Sequence, residues 1–137
     1  MFKLSIVTPE QIFYDDEISS LIAPGTEGYL GVLSNHAPII TALKPGKIEF
    51  RDKQDKTQIV SVTKGFLEVS ANTASILCDA AENADDIDIE RAQQAYDRAK
   101  QRLGTEAKLH DYELDVSRAK EALERASNRI RVYKDSH

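Results

Sequence analysis

All four prolines (Pro9, Pro24, Pro38, Pro45) and five of the six glycines (Gly25, Gly28, Gly31, Gly46, Gly65) precede residue 84, and the remainder of the chain has no proline and only Gly104. Proline removes a backbone donor and glycine loosens the chain, so both punctuate turns and are disfavoured inside helices. The chain therefore divides into a turn-rich strand region, 1–84, and a helical region, 85–137. At 137 residues this is room for one small core and one appendage.

In the first region short runs of β-branched and aromatic residues recur between turn signals: 2–7, 11–14, 18–23, 39–43, 47–51, 58–63, 66–70 and 73–79. Their close, regular spacing predicts an antiparallel sandwich or barrel, with two packed sheets as the expectation. Asp52 to Lys56 reads as a hairpin loop and Lys64-Gly65 as a tight connection. The only cysteine, Cys78, falls in the alternating run Ala74-Ile76-Cys78 and reads as core.

Beyond residue 84 the period changes. Ile89, Ala92, Tyr96, Ala99 and Leu103 alternate steps of three and four, which traces one stripe of a helix. Asp85 or Asp86 is placed to cap its start and Gly104 to end it. A second stripe runs Leu109, Tyr112, Val116, Ala119, Leu123, Ala126, Ile130, Tyr133, and the short link predicts an antiparallel hairpin with the stripes facing. A buried methyl contributes only about 0.8 kcal/mol. The alanine-rich seam is therefore expected to be marginal and able to open while the strand region stays folded.

Several function classes find no support. There is no G-x-S-x-G elbow, H-E-x-x-H pair, paired cysteine or glycine-rich phosphate loop, and His36, His110 and His137 lack metal-ligand spacing, so no catalytic centre and no metal site are expected. A net charge of −5 opposes nucleic-acid binding. No apolar run approaches the roughly 20 residues of a membrane span, and the start, Met1 to Val7, has neither charged leader nor cleavage site. The segment Gly25-Thr26-Glu27-Gly28-Tyr29-Leu30-Gly31-Val32-Leu33-Ser34-Asn35-His36-Ala37-Pro38 reads, on local chemistry alone, as a tight irregular turn using positive φ.

That segment is also one of several that occur in order: Val7-Thr8-Pro9, Lys64-Gly65-Phe66-Leu67-Glu68-Val69, Ala80-Ala81-Glu82, Ile87-Asp88-Ile89-Glu90-Arg91-Ala92 and Arg125-Ala126-Ser127-Asn128-Arg129-Ile130. Together they span nearly the whole chain, which resembles the epsilon subunit family of bacterial-type ATP synthase. The resemblance implies a ten-stranded antiparallel β-sandwich carrying a two-helix hairpin. Such a chain is a non-catalytic rotor part that joins the gamma subunit to the ring of c subunits. It implies that the hairpin can extend along gamma into the catalytic head of alpha and beta subunits and restrain ATP hydrolysis. It implies c-ring contact through Glu27, Gly28, Tyr29 and His36, although many relatives carry an acidic residue where this chain has Tyr29. Membrane contact would come only through the complex, on the cytoplasmic face of a plasma membrane or on a thylakoid membrane.

The resemblance further implies ATP as a regulatory ligand, with no obligatory cofactor. The pattern Ile/Leu-Asp-x-x-Arg-Ala is matched by Ile87, Asp88, Arg91 and Ala92, and Glu82, Arg98, Arg125 and Arg129 complete the implied set. Asp88 can accept from an adenine amino group, and the four arginines, read as facing inward from two helices, suit triphosphate oxygens. The alternative is an ordinary Asp88–Arg91 surface pair with the remaining arginines solvated. Arg118, Arg125, Arg129, Arg131 and Lys134 read as a basic face for acidic segments of the catalytic head, or as a solvated face. Two competing functions are a free-standing nucleotide sensor and an unconventional hydrolase using exposed carboxylates.

Overall fold

The computed structural model describes residues 1–109 and 113–136, with side chains for 1–104 and 117–136. It separates into two compact units, Met1–Ala84 and Asp85–His137.

The first unit contains nine strands: β1 (Phe2–Val7), β2 (Ile12–Gly25), β3 (Gly28–Val32), β4 (Ile39–Leu43), β5 (Gly46–Asp52), β6 (Thr57–Val62), β7 (Gly65–Ser70), β8 (Thr73–Cys78) and β9 (Ala81–Asn83). The sheet runs β1-β8-β7-β4-β2-β5-β6-β9, and β1 also pairs with β2, so the sheet folds back on itself. Long β2 makes this closure possible. Its first half pairs with β1, and its second half lies between β3 and β5.

The expected strand inventory changes accordingly. Nine strands are present rather than ten, and the β1–β8 pair is parallel, so the sheet is not wholly antiparallel. The runs at 11–14 and 18–23 are one 14-residue strand, because β1 pairs with it straight through Asp15-Asp16-Glu17. The glycine-rich segment is not all turn. Gly28–Val32 is a strand whose Leu30 and Val32 point inward, entered through Gly28 at φ 130°. Leu33 to His36 then forms a reverse turn, with the His36 N–H donating to the Leu33 carbonyl at 3.2 Å and Asn35 at φ 64°.

Inward positions of β1, β2, β5, β7 and β8 build the core from Leu4, Ile6, Ile18, Leu21, Ile48, Phe50, Leu67 and Ile76, all essentially without solvent contact. Cys78 belongs to this core, and burial, with a smaller contribution from Asp79, pushes its thiol up to about 11. A thiol held protonated in this way is a poor nucleophile.

The β5–β6 hairpin is organised by Asp52. One carboxylate oxygen accepts from the Gln54 and Lys56 N–H groups, both at 2.9 Å, and the other accepts from the Gln58 amide at 3.0 Å. The Gln58 bond first, then that from the Lys56 N–H, hold the carboxyl below the usual carboxylate range despite partial desolvation. A depressed folded-state pKa contributes stability that is complete above the unfolded value, about 3.9, and is lost as pH falls through the folded value. Thermal unfolding across pH should therefore show Asp52→Asn less stable than the parent at neutral pH. The two curves should converge below about pH 4. A gap that stays constant across that range contradicts this account of the loop.

The second unit begins with a short 3-10 turn, Ala84–Asp86, and continues into α1 (Ile89–Leu109) and α2 (Glu113–Ser136). The helices pack on each other, and with three residues between them they run antiparallel. Ala92, Ala99, Ala119 and Ala126 are buried. They are the small seam residues that the three-four spacing marks out, and they allow close backbone approach. Two terminal expectations change. Asp88, not Asp85 or Asp86, caps α1: its carboxylate accepts from the Arg91 N–H at 3.1 Å. Gly104 does not end the helix but lies inside it. A glycine costs only about 1 kcal/mol there, and Glu106, Ala107 and Lys108 after it are good helix formers. Tyr112, His110 and His137 lie outside the described residues, as do the side chains of Leu109 and Val116.

Candidate functional site

Two surfaces stand out, one on each unit. On the sandwich, strand alternation brings four apolar residues to the outer face in one row. Ala42 is paired with Phe66, Phe66 with Leu77, and Leu77 with Val7, across β4, β7, β8 and β1. Phe66 is 58% exposed and Leu77 56%, and Ile40, two residues along β4 from Ala42, is 74% exposed. Large apolar side chains normally leave such positions to polar residues in a sheet with one solvated face. The row borders an open groove of about 670 Å³ whose rim includes Pro9, Lys64 and Asp79. Gly65 lies in the groove, and a Cβ there would sit 2.0 Å from the Leu77 carbonyl oxygen, so only glycine permits this approach of β7 to β8. The sequence reading does not find this surface. The available signal is Phe66 and Leu77 in the outward phase of strands whose inward phase, Leu67-Val69 and Ala74-Ile76-Cys78, is itself apolar.

Of the residues implied to meet the c-ring, Glu27, Gly28 and Tyr29 are exposed and His36 is half-buried, and they lie toward opposite ends of β3. Thr26 and Glu27 make the β2–β3 turn, Gly28 opens β3, and Tyr29, 55% exposed, follows opposite Pro24. His36 lies beyond the other end of β3, roughly 13 Å of extended chain away. Its ring Nδ1 is 2.7 Å from the Ala37 carbonyl.

On the hairpin, the arginines do not face into the seam. Arg91, Arg98 and Arg125 are exposed and Arg129 is half-buried, while alanines fill the interface. Four arginines, 91, 98, 118 and 125, each directly precede a buried seam alanine. A helix turns about 100° per residue, so each projects sideways from the seam. Because the helices run in opposite directions, both pairs project to the same flank. Arg129, three residues after Ala126, lies on that flank nearer the seam. Arg131 and Lys134 fall on the other flank, so the basic residues of α2 make two faces rather than one. Asp88 stands at the head of α1, and its link to Arg91 runs to the backbone N–H. Ile87 is buried, and Glu82 belongs to β9 in the first unit, where it pairs with Ser61. Among the described residues no group of acidic, histidine or cysteine side chains could hold a metal ion.

An outward apolar row on the sandwich and an arginine-edged flank on the hairpin are thus the surfaces that the described residues offer to a partner or ligand. Comparison with known proteins gives its family. Residues 1–84 match the model of the ATP synthase delta/epsilon chain beta-sandwich domain, and residues 85–134 that of its long alpha-helix domain. The chain therefore belongs to the ATP synthase delta/epsilon family. It is 45% identical over 115 residues to the ATP synthase epsilon chain of Desulforamulus reducens, covering 82% of this chain and 86% of that one. It is 48% identical over 101 residues to that of Pelotomaculum thermopropionicum, covering 74% and 75%. In fold it is similar to a chain of the Euglena gracilis mitochondrial ATP synthase, with a TM-score of 0.80 at 20% identity, covering 98% of this chain and 80% of that chain. A chain in the central stalk and c-ring structure of the Tetrahymena thermophila mitochondrial ATP synthase gives 0.62 at 16% identity, covering 98% and 94%.

Proposed function

We infer that this chain is a central-stalk subunit of a proton-translocating ATP synthase, that its sandwich docks on the gamma subunit, and that its hairpin regulates ATP hydrolysis. The observation that carries the docking is the Ala42-Phe66-Leu77-Val7 row. Contiguous apolar surface of this kind costs free energy in water and is recovered when a partner covers it. The row also separates this reading from a free-standing nucleotide sensor, which has no use for it. Glu27 to His36 then serves the c-ring, and the chain reaches the membrane through the complex. No helix among the described residues is long and apolar enough to cross a bilayer. Reconstitution with gamma is the test: the chain should co-purify with it stoichiometrically, and recovery of the two proteins apart overturns the reading.

The hairpin reading rests on the arginine flank. Arg91, Arg98, Arg125 and Arg129 bring like charge together along one side of a thin, alanine-seamed pair of helices, and a polyphosphate relieves that repulsion through paired N–H contacts. Asp88 retains lone pairs for an adenine amino group after capping α1. ATP bound across both helices would hold the hairpin closed. At ligand tenfold above its dissociation constant, linkage adds about 1.4 kcal/mol to the closed form, roughly a tenfold shift in population. An opened hairpin then presents Arg118, Arg131 and Lys134 to acidic segments of the alpha and beta subunits. Titration of ATP into the isolated chain should show binding that Arg91→Ala and Arg125→Ala each weaken by roughly tenfold or more. Equal affinity in all three proteins removes the site.

A further inference from the structure

At the tip of the β7–β8 hairpin the chain turns through Ala71 and Asn72, both with positive φ, 50° and 58°. Two successive positive values are what a two-residue type I′ turn requires, and asparagine tolerates them better than most residues. Asn72 does more than turn the chain. Its side-chain oxygen accepts the Asn35 N–H at 2.8 Å, and its side-chain NH₂ donates to the Met1 carbonyl at 3.1 Å. Its own carbonyl accepts the Lys3 N–H at 3.3 Å. One residue thus fastens three segments that are far apart in sequence: the start of β1, the Leu33–His36 turn and the β7–β8 tip.

The Asn35 bond is not a redundant one. In the Leu33–His36 turn the internal hydrogen bond uses the His36 N–H, and Asn35, at the third position with positive φ, directs its own N–H away from that bond. Without Asn72 that donor turns to water, and the turn loses this hydrogen bond to the β7–β8 tip. The far end of the same hairpin carries Phe66 and Leu77, which belong to the apolar row. The two strands of β7–β8 therefore run from the row at one end to the His36 turn at the other, with Asn72 as the joint.

We propose that Asn72 is a positioning residue, which transmits the orientation of the gamma-docked sheet to the ring-facing His36 turn. This rests on the docking reading above and adds to it a specific mechanical link. The substitution to make is Asn72→Gly, which keeps the positive φ and the turn while deleting the carboxamide. Asn72→Asp keeps the acceptor for Asn35 and removes the donor to Met1.

Amide exchange is measured in the isolated chain, and proton pumping per ATP hydrolysed is measured in the reconstituted complex. In Asn72→Gly the Asn35 amide should exchange several-fold to roughly tenfold faster, the size of one ordinary hydrogen bond at about 1.4 kcal/mol per decade. The Leu67 and Ile76 amides should be unchanged, and pumping per ATP should fall. In Asn72→Asp the Asn35 protection and the coupling should both be retained. The proposal is overturned if Asn35 exchange is unaltered in Asn72→Gly, or if the turn loosens and pumping per ATP stays at the parent value. Failure of the underlying docking reading looks different, because the parent chain itself then fails to associate with gamma.

Discussion

Replacing Phe66 with aspartate should leave the sandwich folded and abolish its capture by gamma. The two halves of this result come from the same exposure. In the free chain Phe66 is more than half exposed, so its loss removes only cross-strand contact with Ala42 and Leu77, on the order of 0.5–1 kcal/mol. Once the row is covered, the new carboxylate lies in an apolar contact with no partner of opposite charge. An unpaired charge taken out of water costs several kcal/mol. Loss of the aromatic anchor adds to this, since buried aromatic residues near the centre of an interface carry roughly 2 kcal/mol or more each. The expected drop in affinity is therefore on the order of 100-fold or more, with the melting temperature within a few degrees of the parent. Calorimetric titration of gamma, alongside thermal unfolding of the free chain, reads both. Unchanged affinity means that the partner sits elsewhere on the sheet.

The elements legible in the sequence are those whose signal is local. The helical seam is the clearest case: the three-four spacing includes Ala92, Ala99, Ala119 and Ala126, all found buried, although it misses the buried Asn128 and Val132 of α2. The core phase of β7 and β8 is equally clear, because alternation fixes which side chains share a face. Strand identity fails where the signal is non-local. Nothing in Asp15-Asp16-Glu17 tells whether the chain stops or continues, and β2 continues because β1 lines up with it from Phe2↔Ile18 to Ile6↔Tyr14. Likewise Gly28–Val32 becomes a strand through pairing with β2, against the local preference of its glycines for turns.

The site residues divide along the same line. Arg91, Arg98, Arg125 and Arg129 can be named from a motif, but not the direction in which they point. That depends on which residues own the seam, and since alanines own it, the residue before each alanine is displaced to the flank. Asp88 reads as a ligand group in the motif, and its capping role depends on where α1 starts, which shifts easily by a turn in an acidic run such as Asp85-Asp86-Ile87-Asp88. Asn72 carries no sequence signal beyond a turn preference. Its partners Met1 and Asn35 are 71 and 37 residues away, and only the folded sheet brings them together.

Gly65→Ala is expected to be the most damaging methyl addition in the sandwich. The added Cβ would meet the Leu77 carbonyl oxygen at 2.0 Å, the Leu77 carbonyl carbon at 2.9 Å and the Cys78 Cα at 3.0 Å. All three are backbone atoms, so no side chain can rotate away and relieve the clash. Either β7 and β8 separate where Gly65 faces Cys78, or β7 shifts against β4 where Gly65 faces Leu43. Both routes break ladder hydrogen bonds beside Leu67 and Ile76, which are fully buried. Overpacking of this kind costs about 3 kcal/mol, a large share of the roughly 5–15 kcal/mol that holds a small domain together. For a unit of this size each kcal/mol is worth about 4–8 °C, so the melting temperature should fall by roughly 12–24 °C. A loss below about 3 °C shows that the two strands can part at this register without cost. Because the same glycine lies in the groove beside Phe66, any Gly65→Ala protein that still folds should also bind gamma more weakly. That pairs a stability defect with a docking defect, whereas Phe66→Asp produces the second alone.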